Sequence, residues 1–249
     1  MPGLLAAGGP TRFDSCHRVD DSQRTWFPVT PPPGEHAVSS ITLYDFPLSG
    51  NCHKVRLLLS MLDLDYERVP IDVVANQTAS AAFKRINPRG QVPFLVDGEV
   101  RIWDSMAILI YLARRYGSTR WLPNEPAAEA VVMQWLALAG DELLYGLARA
   151  RAVWRLGKDF NREQCQQEGR GGLTLMEQQL ELADWLAADH PTIADLACYP
   201  YVNLADEADV SLTPYPAVRE WLSRVEALPG YVPLLGQKDE LRRIAPSGQ

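Results

Sequence analysis

An α/β domain followed by an all-α helical bundle is the fold class the sequence predicts, on three observations. Strand-like and helix-like segments alternate from Ile41 to Gly117. The linker Leu122-Pro123-Asn124-Glu125-Pro126 then closes that region. Beyond it no stretch alternates apolar and polar side chains as a strand does, and apolar residues recur at helical spacing instead.

Composition allows this reading and excludes others. A chain of 249 residues with 47% hydrophobic content suits one large or two modest domains with a packed core. A formal net charge of -7 and a pI near 5.2 argue against a nucleic-acid surface, which needs clustered Lys and Arg. Cys16, Cys52, Cys165 and Cys198 lie far apart with no paired spacing, so neither a disulfide framework nor a metal site is indicated. Reduced thiols in the cytoplasm are the simplest account. No apolar run approaches the ~20 residues of a membrane span, and Leu4-Leu5-Ala6-Ala7 lacks the basic flank of a secretory leader.

Residues 1–40 show little periodicity, and Pro31-Pro32-Pro33 followed by Gly34 favours extended backbone without ladder hydrogen bonds. The expectation is a disordered extension, or one mis-assigned because synthesis begins near Val38; a proline-rich docking arm is the functional alternative. Ile41-Thr42-Leu43-Tyr44-Asp45 alternates as a strand, and Val55, Leu58, Leu59 and Leu62 recur as one helical face over Cys52 to Leu62. Tyr66 to Ile71 gives a second strand, parallel to the first because a helix intervenes. Ala79 to Ile86 is a short helix, stopped at Asn87-Pro88. Pro93 to Val96 and Glu99 to Ile102 flank Asp97-Gly98, a strong hairpin signal. Asp104 caps a helix over Ser105 to Tyr116, with Gly117 as its stop. The order β-α-β-α-β-β-α is that of a thioredoxin-like domain, placed at 41–120.

The helical domain is placed at 125–236 and a tail at 237–249. It comprises one long helix from Pro126 to Arg155, bent near Gly140 or Gly146, then Leu173 to Leu186, Ile193 to about Ala205, and Pro216 to Leu228. Thr192 and Asp195 form a capping box, a structural role, and Ile193, Leu196, Ala197, Tyr201 and Leu204 give that helix one continuous apolar face at the centre of the bundle.

The stretch Tyr44 to Val55 runs from strand to polar turn to helix N-terminus, a natural anion site because unpaired N–H groups and the helix dipole point over the turn. Three motifs then carry a resemblance: Ser49-Gly50-Asn51-Cys52-His53-Lys54-Val55, Gln91-Val92-Pro93, and Asp104-Ser105-Met106-Ala107-Ile108. With the Thr-Ile-Ala-Asp cap at 192–195, the chain from about Ile41 to about Gly236 resembles the cytosolic glutathione S-transferase superfamily, in particular its bacterial and fungal branch with Ser or Thr and Asn in the first turn.

That resemblance implies glutathione as co-substrate. It places Ser49 and Asn51 as catalytic donors to the sulfur, and Val92, before a cis Pro93, as a backbone partner of the cysteinyl part. Asp104 and Ser105 take the γ-glutamyl end, and Lys54 and Gln91 hold the glycyl carboxylate. Tyr145, Arg149 and Trp154 are candidates for the second substrate, with Arg149, Arg151 and Arg155 either an anion-attracting cluster or a solvated basic face with Trp154 in the core. Each polar residue also has a plainer reading: Ser49, Asn51 and Asp104 as helix caps, Lys54 as a solvated first-turn lysine. Cys52 occupies only the second place of a Cys-x-x-Cys motif, so a two-cysteine exchange cycle in this turn is excluded.

The function implied is a cytoplasmic, homodimeric detoxification enzyme. It activates the glutathione thiolate for conjugation to small electrophiles, for reduction of disulfides or peroxides, or for both. Two alternatives stand beside it: a non-catalytic interaction or regulatory module on the same fold, and a glutathione-dependent isomerase or dehalogenase.

Overall fold

The computed structural model describes residues 41–234. The expectations for residues 1–40 and for the tail at 237–249 lie outside the described residues. Strand β1 (Ile41–Asp45) leads into helix α1 (Gly50–Met61) and strand β2 (Tyr66–Pro70). After a 3-10 turn at Gln77–Ala79 come α2 (Ala81–Ile86), β3 (Phe94–Asp97), β4 (Val100–Trp103) and α3 (Ser105–Arg115). The sheet order is β2-β1-β3-β4, with β1 parallel to β2 and antiparallel to β3, and β3 antiparallel to β4. This is the thioredoxin-like arrangement. Burial in β1 alternates, with Ile41, Leu43 and Asp45 inside, as its sequence pattern requires.

The helical part departs from expectation in two places. The long helix does not run unbroken from Pro126 to Arg155: α4 (Pro126–Gly140) ends where Asp141 leaves helical geometry, a π-helical turn spans Glu142–Ala148, and α5 (Arg149–Leu156) follows. The next helix, α6, covers Arg162–Leu180 rather than 173–186. One contact bears on the π turn and on the early start of α6. A Cβ on Gly146 would lie 2.3 Å from the Gly169 nitrogen, and one on Gly169 would lie 2.7 Å from Leu147, so the π turn and α6 cross backbone to backbone. Gly169 and Gly172, two of the three glycines that make this part of α6 look like a loop, are what let it approach.

Helix α7 (Ile193–Asn203) is buried from Ile193 to Val202 and packs on α1, α3, α4 and the π turn. Its capping box forms as expected, the Asp195 carboxylate accepting from the Thr192 N–H at 2.9 Å, and the same carboxylate also accepts from the Leu186 N–H (3.1 Å) and the Trp221 indole N–H (2.9 Å). Helix α8 (Pro216–Glu226) has no side-chain cap of its own. Buried Glu177 of α6 supplies one instead, accepting from the Ala217 and Val218 N–H groups at 2.9 Å each. No helix among the described residues is long and apolar enough to cross a membrane.

Candidate functional site

The turn between β1 and α1 is clamped from both sides. Asp45, fully buried at the end of β1, pairs with Arg56 of α1 and Arg68 of β2, and Arg56 also donates to the Pro47 carbonyl at 3.0 Å. From the helical part, buried Arg151 of α5 donates to the Leu48 carbonyl at 3.0 Å while pairing with Glu207 at 2.6 Å. Arg155 joins Glu207 at 3.2 Å. Arg151 and Arg155 are therefore engaged with a carboxylate and with the turn; they are not a solvated basic face or a free anion lure.

Within the turn, Ser49 is the N-cap of α1, and its Oγ accepts from the Cys52 N–H at 3.2 Å. That bond uses a lone pair of the oxygen, and the hydroxyl also lies within hydrogen-bond reach of the Cys52 thiol. Asn51 is half-buried, and its Oδ1 has no hydrogen-bond partner among the described residues. Cys52 is buried, and burial pushes its thiol up to about 12, so it is a neutral core residue at pH 7.

The facing loop carries the other motifs. The Val92–Pro93 peptide is cis. Buried Asn87 shapes the approach to it, donating to the Gln91 carbonyl at 2.7 Å and accepting from the Arg89 N–H at 3.1 Å; Gln91 itself is exposed. Asp104 caps α3 from a backbone with φ of 82°, accepting from the Met106 N–H at 3.0 Å. Its second oxygen takes Arg89 at 2.9 Å, and Ser105 beside it is buried. The turn, the cis-proline loop and the α3 N-terminus follow β1, precede β3 and follow β4, three neighbouring strands of one sheet, and so converge at one edge of it.

Lys54 does not lie on the surface of α1. It is fully buried, its Nζ 5.3 Å from the centroid of the Tyr201 ring of α7, inside the protein rather than on a rim where a ligand carboxylate would project. Of the second-substrate candidates, Tyr145 and Arg149 stack together at 3.9 Å, with Phe160 on Arg149 at 4.8 Å. Arg149 stands roughly 200° around the helix from Arg151, so this stack faces away from the turn that Arg151 holds. Trp154 is 67% exposed and not in the core. A cavity of about 980 Å³ between α4 and α6 is lined by none of the site residues named above. Sequence reasoning missed Arg89, Arg151 and Tyr201 as parts of the site's frame; only the arginine cluster around Arg151 left a local signal.

His53, next along α1, is buried with its Nε2 2.8 Å from the Val232 carbonyl. Burial holds its pKa down at about 4, against an ordinary 6.5. The unfolded chain therefore takes up this proton first. The stability it contributes is intact above pH 6.5 and is lost as pH falls from 6.5 toward 4, by about 3 kcal/mol in all. His53→Gln, whose amide donates to the same carbonyl without titrating, removes that slope. Urea unfolding at pH 7 and pH 5 is expected to show the wild type losing about 2 kcal/mol more than the variant between the two; equal losses contradict it.

Comparison with known proteins decides the family. The family model for the glutathione S-transferase N-terminal domain matches residues 39–114, and that for the C-terminal domain matches residues 159–224. A disulfide-bond oxidoreductase, YfcG of Escherichia coli K12, is 30% identical over 204 residues, which are 76% of this chain and 91% of that protein. The chain belongs to the glutathione S-transferase family. Among solved structures, a possible glutathione S-transferase from Rhodopseudomonas palustris superposes with a TM-score of 0.72 at 34% identity, over 78% of this chain and 97% of that one. A glutathione transferase homologue from Drosophila mojavensis, solved with bound glutathione, gives 0.70 at 25% identity, over 77% and 89%.

Proposed function

We propose that this transferase binds glutathione along the edge formed by the Ser49 turn, the Val92–Pro93 loop and the α3 N-terminus, and uses its thiolate as the nucleophile. The observation that carries the reading is the Ser49 hydroxyl at the start of α1: it caps the helix as an acceptor, and its proton, which otherwise faces only the neutral Cys52 thiol, has a stronger acceptor in a thiolate over the turn. Asn51 is the second donor, as in the Ser/Thr-Asn branch of the family. The Val92 backbone pairs with the cysteinyl part in the manner of an added strand. Ser105, at the first position of α3, receives the γ-glutamyl carboxylate through its own N–H and hydroxyl, and Asp104, shared with Arg89 and the Met106 and Ala107 N–H groups, faces the ammonium. Gln91, which is exposed, takes the glycyl end in this reading.

A thiol of ordinary pKa near 8.5 is only a few per cent ionised at pH 7. Lowering it by about two units takes some 2.7 kcal/mol of preference for the thiolate, within reach of two donors and a helix dipole. In conjugation the thiolate forms a sulfur–carbon bond as the electrophile's leaving group departs with its electron pair. In reduction it attacks a disulfide, releasing one thiolate and leaving a mixed disulfide; a second glutathione thiolate then releases the other and ends as glutathione disulfide. Similarity to a protein named as a disulfide-bond oxidoreductase supports including the second reaction. Of the second-substrate candidates, Trp154 is the one on the Arg151 side of α5. The working form in this reading is a cytoplasmic homodimer serving detoxification.

The experiment is a glutathione-dependent assay panel: a chlorodinitrobenzene electrophile, a hydroperoxide and hydroxyethyl disulfide. Turnover on at least one is expected. Binding to immobilised glutathione with turnover on none would leave the non-catalytic module as the better account.

A further inference from the structure

Lys54 is fully buried, and its Nζ has no hydrogen-bond partner among the described residues. A buried ammonium without a hydrogen-bond acceptor is costly, because burial removes its hydration and the Tyr201 ring beneath it replaces only part of that. The groups that face it do not balance it. From α7 come Tyr201, whose ring lies under the ammonium, and Cys198; burial pushes the phenol up to about 12 and the thiol further still, so both are neutral at pH 7. From α3 comes Asp104, whose carboxylate is already shared by Arg89 and the helix N–H groups.

The side chain's course points to what is missing. Helical side chains leave the backbone tilted toward the N-terminus of their helix, which for Lys54, one turn after Gly50, is the side of the Ser49–Asn51 turn. Tyr201 marks the same place: a Cβ on Gly50 would lie 2.7 Å from its Cε1. Gly50 and Lys54 thus lie against one ring, the first at the turn and the second behind it.

We propose that Lys54 is a buried counter-charge for the thiolate bound over the α1 turn, a positioning residue that acts through the protein interior without touching the sulfur. The inference rests on the glutathione reading given above. At an effective dielectric near 20, one unit charge shifts another group's ionisation constant by roughly tenfold or more at any separation up to about 10 Å, so contact is unnecessary. Burial lowers the lysine's own pKa to about 8, which leaves it mostly protonated at pH 7, and an arriving anion favours that charged form further.

The test is Lys54→Met, which keeps the stem and removes the charge. Ultraviolet titration of the thiolate of bound glutathione is run on wild type and variant, alongside urea unfolding of both at pH 7. The expected result is an apparent thiol pKa about one unit higher in the variant, a tenfold loss of thiolate at low pH, together with a higher urea midpoint because an unpaired charge has left the core. A purely structural lysine gives the opposite pair, an unmoved thiol pKa and a lower midpoint. An unmoved thiol pKa overturns the proposal, as does a variant that fails to fold. If the wild type itself neither binds glutathione nor lowers its thiol pKa, the glutathione reading fails first; if it does both and the variant matches it, only the role of Lys54 is lost.

Discussion

Asp195→Ala is expected to lower unfolding stability by about 4 kcal/mol, with activity per folded molecule unchanged. The capping box alone would suggest about 1 kcal/mol. The carboxylate, however, also receives the Leu186 N–H and the Trp221 indole, so truncation strands three buried donors from three segments. Each stranded donor costs about 1–3 kcal/mol, less than additively because they share one partner. Against a total stability of about 5–15 kcal/mol this is a large fraction. Asp195→Asn is expected to lose about half as much, since its amide oxygen still accepts while its NH2 opposes a donor. Urea unfolding measures both; a loss below about 1 kcal/mol for Asp195→Ala would mean that water or rearrangement satisfies those donors.

Ser49→Ala is expected to reduce kcat/KM at pH 6.5 by between 10-fold and 100-fold and to raise the apparent thiol pKa in the pH profile by one to two units. A hydrogen bond to a charged sulfur contributes about 1.5–3 kcal/mol, which sets that range. The substitution also removes the α1 cap, at about 1 kcal/mol of stability, so Ser49→Thr, which keeps both the cap and the donor, is expected to retain activity. Asn51→Ala is expected to have the smaller effect on the thiol pKa. If Ser49→Ala leaves that pKa in place, the helix N-terminus performs most of the activation.

What could be read from the sequence was local. The order of strands and helices to α3, a hairpin at Gly98, the Asp104 cap and the Thr192–Asp195 box each depend on residues within a few positions of one another, and each forms. Asp97, however, pairs with Val100, so that Gly98 and Glu99, not Asp97 and Gly98, make the hairpin loop. What could not be read depends on distant partners. The first half of α6 is polar and carries Gly169, Gly171 and Gly172, which argues against a helix until Gly146 is seen pressed against Gly169. Lys54 follows a helix start, where lysines are ordinarily solvated; its burial comes from α7 lying over α1, which no local pattern encodes. Arg151 and Arg155 look like a basic surface because Glu207, more than fifty residues away, is invisible to spacing.

The most direct test of the central claim is the titration of glutathione bound to the wild-type protein, followed through thiolate absorbance from pH 5 to pH 9. The account predicts an apparent thiol pKa near 6.5, about two units below the ordinary value. Glutathione that saturates the protein and still titrates near 8.5 would contradict it.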